Sequence, residues 1–305
     1  MLLFLFFLIC LSKLLAPVMR LSTPAHVSAA TGMPASRMIA GEAAGLAAVL
    51  GATWLMSRLE RRKISDYGLT DRQGSRHFVL GAVSGAVLLS VLVLSLNRAG
   101  ALVFDGAQLF GWAAFAHSAI WLCAFLLVGF FEELLFRGYA QYTISRGVRG
   151  MCRRVSLRQA NAIGFWTAAV LTSFCFGFGH GSNAGESPIG LVAAGLIALV
   201  FCLSIWRTGS LWWAIGFHMA WDWAESFLYG VGDSGTMIQH RLLASHPTGG
   251  ALISGGATGP EGSVLVLPVI AVAFCAAMLT LPRTRATGSS EPYTDESSAA
   301  TARVD

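Results

Sequence analysis

The chain has 305 residues, 55% of them hydrophobic and only 12% charged, with a mean hydropathy of +0.63 and a formal net charge of +5. A soluble domain carries about 25% charged residues, so the composition excludes an ordinary globular protein and predicts an all-α polytopic membrane bundle. The modest positive charge sits in loops, which argues against nucleic-acid binding; six cysteines without a Cys-x-x-Cys pair argue against a disulfide framework or a thiolate metal site.

Apolar runs fall near residues 2–19, 36–57, 78–96, 108–131, 160–179, 188–206, 211–229 and 263–281. Each approaches the ~20 residues a helix needs to cross the hydrocarbon core, and open strands cannot span lipid because their backbone groups would lack partners. The expectation is therefore about eight transmembrane helices. The first run competes with a signal peptide, but Lys13 interrupts it and no small-residue cleavage site follows, so it is read as a helix.

Loop charges orient this bundle. Arg58, Arg61, Arg62, Lys63, Arg72 and Arg76 follow the second run; Arg137, Arg146, Arg149, Arg153, Arg154 and Arg158 follow the fourth; Arg207 follows the sixth. These are alternate loops, as the positive-inside rule requires. Both termini are then cytoplasmic, and the expected location is multi-pass in a bacterial plasma membrane. The chain divides into about three N-terminal transmembrane helices (1–107), a helical core (108–230), an outer Gly-rich loop (231–262), a last transmembrane helix (263–282) and a disordered cytoplasmic tail (283–305).

Three constellations carry chemistry. In Phe130-Phe131-Glu132-Glu133-Leu134-Leu135-Phe136-Arg137 two carboxylates and a guanidinium follow an apolar run. One charge at the centre of a membrane helix costs roughly 2.5–3.5 kcal/mol, so such charges pair or line a polar cavity. Glu133 and Arg137 are four apart and share a face, whereas Glu132 is turned about 100° away and is left for acid–base work. The competing reading is a helix end at the inner interface. In Phe174-Cys175-Phe176-Gly177-Phe178-Gly179-His180-Gly181 an imidazole ends a Gly-rich helix, where water alone would also satisfy it. In Gly216-Phe217-His218-Met219-Ala220-Trp221-Asp222-Trp223-Ala224-Glu225, His218, Asp222 and Glu225 form one helical stripe, with a self-satisfied His–Asp pair as the alternative. His117, lone on an apolar face, is read as structural, and Trp206, Trp212, Trp213, Trp221 and Trp223 as interface and packing residues.

The ordered set Glu132-Glu133-Arg137, Phe176-His180 and His218-Asp222, with the run Gly209-Ser210-Leu211-Trp212-Trp213-Ala214-Ile215-Gly216-Phe217-His218, resembles the CAAX-protease and bacteriocin-processing family of intramembrane proteases over about residues 120–227. The resemblance implies that Glu132 and His180 polarise a water that attacks a peptide carbonyl. His218, helped by Asp222, would stabilise the oxyanion, and Glu133, Arg137 and Phe176 would support the site. The family's last position is commonly Asn; here it is Asp222, which cannot donate a hydrogen bond when ionised. No cofactor is required by this scheme, though Zn²⁺ held by His180, His218 and Asp222 or Glu225 is the rival arrangement. The expected partners are the lipid bilayer and a membrane-associated protein or peptide substrate. Outside the enzyme class, the same groups suit a transporter path or a non-cleaving peptide-binding immunity protein.

Depth tests this reading. A fourth helix over 108–131 leaves Glu132 at its inner end and His180 at the outer end of the fifth. The two meet only if the fourth helix slides to roughly 118–142 and the fifth runs past His180.

Overall fold

A computed structural model of the protein describes residues 1–21, 32–152 and 156–282. Arg153, Arg154 and the tail 283–305 lie outside the described residues, so their expected roles stay with the sequence.

Eight of the described helices fall on the apolar runs: α1 Leu2–Leu21, α2 Ala35–Leu59, α3 Gly74–Arg98, α4 Gly111–Glu133, α6 Leu157–Gly179, α7 Pro188–Thr208, α8 Trp212–Trp223 and α10 Val266–Thr280; between them lie the polar α5 Tyr142–Met151 and the single turn α9 Ala251–Ser254. Among the described residues, five helical stretches are long and apolar enough to cross a membrane, namely Ala35–Leu59, Gly74–Arg98, Gly111–Met151, Leu157–Ser182 and Pro188–Thr208. The architecture is an all-α polytopic bundle whose outer faces are as apolar as its core. On α3, Val79, Val83, Val87 and Val91 are each at least 50% exposed, while Leu88, Leu89, Leu92, Val93 and Leu96 on the opposite side are buried. A helix apolar all round needs protein on one side and lipid on the other.

The stretch Gly111–Met151 is continuous over 41 residues. At 1.5 Å per residue it is about 60 Å long, roughly twice the hydrocarbon thickness, and Glu132 lies near its middle. α4 and α5 are joined by a π-helical segment, Leu134–Gln141, that begins directly after the two glutamates. α6 likewise continues through a 3₁₀ turn, His180–Ser182. The fourth run does not slide to 118–142: its helix starts at Gly111 and extends to Met151, which carries it past Glu132, while α6 continues past His180.

α3 and α8 pack backbone to backbone. A Cβ on Gly81 would stand 2.1 Å from the Trp213 carbonyl oxygen, and one on Gly216 would stand 2.1 Å from that of Phe78. Only glycine permits that approach, and small residues at helix crossings are how apolar helices associate tightly in lipid. Around the crossing, Leu89, Leu92, Trp213, Phe217, Trp221 and Phe201 form the largest buried cluster with α7 and α10.

Three further expectations are corrected. The Gly-rich segment 231–262 is not a plain loop: β2 (Leu243–Pro247) pairs antiparallel with β1 (Leu102–Ala107), from Leu102 opposite Pro247 to Ala107 opposite Leu243, with an irregularity between Phe104 and Gly106. Nearby, Met33 exchanges backbone bonds with Met237 and Gln239. These pairings are long-range, and the strands are too short for periodicity to announce them. Arg137 and Arg207 are not loop charges. Arg137 is buried against Glu133, and buried Arg207 donates to the Leu281 carbonyl at the end of α10. Finally, His117 is not isolated; its ring stacks on His240 with centroids 4.2 Å apart.

Candidate active site

Helical periodicity sorts the two glutamates. Glu133 points into the core, fully buried, and accepts a 2.9 Å hydrogen bond from Arg137 Nη1 one turn later. Glu132, one residue earlier, is turned out of that contact and its side chain remains 25% exposed. The π segment that follows widens the helix at this point, a distortion that recurs at functional sites. A second π segment, Ala224–Leu228, extends α8 directly beyond Asp222 and Trp223.

His218 joins the motifs across 85 residues of chain. Its Nδ1 lies 3.1 Å from Glu133 Oε1, and its Nε2 lies 3.7 Å from Glu132 and 3.5 Å from Asp222. A carboxylate only accepts, so the ring donates Nδ1–H to Glu133 and turns Nε2 toward the other two acids. Glu133 Oε1 is therefore shared between Arg137 and His218, and the pair behind the site fixes the imidazole in front of it.

His180 is oriented by its own helix. Its Nδ1 stands 2.8 Å from the Phe176 carbonyl oxygen four residues back. That carbonyl can only accept, so Nδ1 carries the proton and Nε2 of the neutral ring presents a lone pair. The Phe176 side chain has a separate task. Arg137 lies over its face at 4.3 Å, His180 packs 4.7 Å away and His218 6.1 Å away, measured to ring centroids. One buried ring thus packs against both histidines and carries a cation–π contact with the guanidinium.

Glu132, His180, His218 and Asp222 all line one cleft with a cavity volume of about 180 Å³, with Phe176 in its wall. Glu133 and Arg137 stand behind that wall. Reasoning from sequence missed several further lining residues: Glu42 on α2, Asn183 after α6, and Asp233 and Glu261 in the 231–262 segment. Glu42 carried a readable signal, since it is the one acid inside the run 36–57. Asp233 and Glu261 carried none, because they sit in a polar segment whose docking is tertiary. Burial first, and then the neighbouring Asp222 and Glu261 carboxylates, push Asp233 well above the ordinary carboxylate range.

The metal-ligand expectation meets a different geometry. Among the described residues, the only group of three possible ligands whose atoms all lie within 4.8 Å of one another is Glu225, Asp233 and Glu261. His180, His218 and Asp222 do not gather in that way, because His218 Nε2 is directed between Glu132 and Asp222 while His180 belongs to the end of α6. Glu225 leaves the His218 stripe altogether: the π segment rotates it into the second cluster, fully buried.

Residues 112–224 match the family model described as type II CAAX prenyl endopeptidase Rce1-like. The chain matches no curated protein and no solved structure. The matched segment contains the Glu132-Glu133-Arg137, Phe176-His180 and His218-Asp222 sets in their order on α4, α6 and α8, and over this segment the chain is similar to the CAAX-protease and bacteriocin-processing family of intramembrane proteases.

Proposed function

We propose that the protein is an intramembrane endopeptidase that hydrolyses a peptide bond of a membrane-associated protein or peptide with a water activated by Glu132 and His180. The observation that carries the reading is the pair of acceptors in one cleft: the Glu132 carboxylate and the His180 Nε2 lone pair, the latter fixed by the Nδ1–H bond to Phe176. A water has two O–H groups to donate, one to each acceptor, and its oxygen lone pair then faces the cleft. On attack, a water proton passes to Glu132 and the carbonyl π electrons move to oxygen. His218, as the imidazolium, donates from Nε2 to that oxyanion, with Nδ1–H still held by Glu133 and the ring steadied by Asp222. When the tetrahedral species collapses, the C–N bond breaks and Glu132 returns the proton to the leaving amine.

In this scheme Asp222 is a positioning residue, which agrees with a carboxylate standing where the family commonly has an amide that can donate. The polar groups converge on one cleft at the meeting of α4, α6 and α8, which favours hydrolysis over a conduction path. Placing the basic ends of α2 and α5, which carry Arg58 and Arg149, on the cytoplasmic side puts both termini there as well.

The test is peptidase activity of the detergent-purified protein against a library of membrane peptides. Wild type, Glu132→Gln and His180→Ala are compared with and without a zinc-selective chelator. Cleavage that is lost in both variants and kept under chelator is the expected result. Cleavage abolished by the chelator and restored by Zn²⁺ would overturn the metal-free scheme. Peptide binding without cleavage in the wild type would favour a non-hydrolytic immunity role.

A further inference from the structure

At the edge of the peptidase cleft, three carboxylates come from separate parts of the chain. Glu225 lies in the π segment after α8, Asp233 in a tight turn closed by the reciprocal Asp233–Thr236 backbone bonds, and Glu261 in the 3₁₀ turn Pro260–Gly262. One oxygen of each lies within 4.8 Å of the others. None of the three forms an ion pair with Lys, Arg or His among the described residues. Two of them are held by neutral donors. Ser226 Oγ donates to Asp233 at 3.1 Å, while Trp221 Nε1 and Ser234 Oγ donate to the two oxygens of Glu261 at 2.8 and 2.9 Å.

Glu225 is the independent observation. It is 0% exposed, and neither of its carboxylate oxygens has a hydrogen-bond partner. Protonating one acid would supply a single O–H donor, too few for both Glu225 oxygens, and would leave two charged carboxylates facing each other. A cation uses the carboxylate oxygens as they stand and also relieves the repulsion from Asp233 and Glu261. The donor set contains no imidazole and no thiolate, so it suits hard cations. Irregular ligands drawn from a helix end and two turns suit Ca²⁺, which accepts flexible geometry, better than Mg²⁺, which demands an octahedron.

We propose that Glu225, Asp233 and Glu261 form a binding site for a hard divalent cation, Ca²⁺ by preference, that ties the end of α8 to the 231–262 segment. Asp233 and Glu261 also line the cleft, so the ion would hold one wall of the site without taking part in the hydrolysis. The inference does not depend on the peptidase reading, and its test does not use cleavage.

The full chain in detergent is stripped with EDTA, dialysed and titrated with Tb³⁺, exciting tryptophan; Trp221, bonded to Glu261, is the neighbouring donor. The expected result is sensitised Tb³⁺ emission that Ca²⁺ displaces, together with a rise in melting temperature on adding Ca²⁺. Both are lost in Asp233→Asn and in Glu261→Gln, which change half-buried side chains outside the long helices and test the site even if a change at Glu225 prevents folding. Absence of Ca²⁺-displaceable emission in the wild type, or emission unchanged in both variants, would overturn the proposal. So would a Glu225→Gln protein whose melting temperature exceeds that of the wild type equally with and without Ca²⁺, because Glu225 would then be an uncompensated carboxyl and not a ligand.

Discussion

Arg137 and Glu133 are 3% and 0% exposed and share a single 2.9 Å hydrogen bond, with Nε and Nη2 of Arg137 and Oε2 of Glu133 left unpartnered. Arg137→Met therefore strands a buried carboxylate whose remaining partner is His218. Breaking a buried pair from one side costs about 3–5 kcal/mol, and Glu133→Gln should cost a similar amount by stranding the guanidinium over Phe176. If the two losses were independent, the double variant would lose about 6–10 kcal/mol, most of the ~5–15 kcal/mol that holds a typical domain folded. The structure predicts the opposite. With both charges removed, the amide oxygen introduced by Glu133→Gln can still accept from His218 Nδ1–H, and the methionine of Arg137→Met fills the guanidinium's place. The double variant should then be more stable than either single one. Unfolding in SDS-mixed micelles, followed by tryptophan fluorescence, measures all four corners of the cycle. Additive losses would refute the claim that the two charges compensate one another, and with it the role of the pair as the fixed backing of His218.

Three further expectations can be checked together. Gly81→Ala and Gly216→Ala each drive a Cβ to 2.1 Å from a facing carbonyl oxygen; overpacking of this kind costs about 1–3 kcal/mol, and because His218 lies two residues beyond Gly216, peptide cleavage should fall further than stability does. Unchanged activity in both variants would mean that the α3–α8 crossing does not set the position of His218. Asp222→Asn should retain cleavage, since an amide can still accept from His218, whereas Asp222→Ala should lose it; equal loss in both would make the negative charge itself essential. Asp71 supplies a pH test. Burial would raise it, but the Gln73 N–H at 2.8 Å and His77 Nδ1–H at 2.6 Å hold it below the ordinary carboxylate range. The unfolded chain then binds the proton more readily, so this stabilisation is complete above the ordinary value of about 4 and fades as pH falls toward the lower folded value. The difference in melting temperature between wild type and Asp71→Asn should be constant from neutral pH down to about 5 and shrink below about 4. A gap that widens on acidification would contradict the sign.

Local rules accounted for much of the candidate site. Four-residue spacing alone pairs Glu133 with Arg137, sets Phe176 behind His180 and places Asp222 beside His218, and the helices carry those pairs as expected. The π segments were not legible, since nothing in Leu134–Gln141 or Ala224–Leu228 distinguishes a wide turn from an α turn until neighbouring helices constrain it. For the same reason Glu225 was read on the wrong face.

The amino-acid sequence by itself determined that this is a membrane helix bundle, because ~20-residue apolar runs have no other way to satisfy their backbone in lipid. It also singled out Glu132, His180, His218 and Asp222 as candidates for function, because polar groups in apolar runs are costly. What only the tertiary structure decided is how those groups meet. His218 reaches Glu132 and Glu133 across 85 residues because glycines at 81 and 216 let α3 and α8 close together and α4 packs alongside. Glu42 enters the cleft from α2, and the 231–262 segment folds back to bring Asp233 and Glu261 to its edge. Periodicity reports which face of one helix is buried; it holds no information on which other helix will cover that face, and the chemistry of this site lies in that second choice.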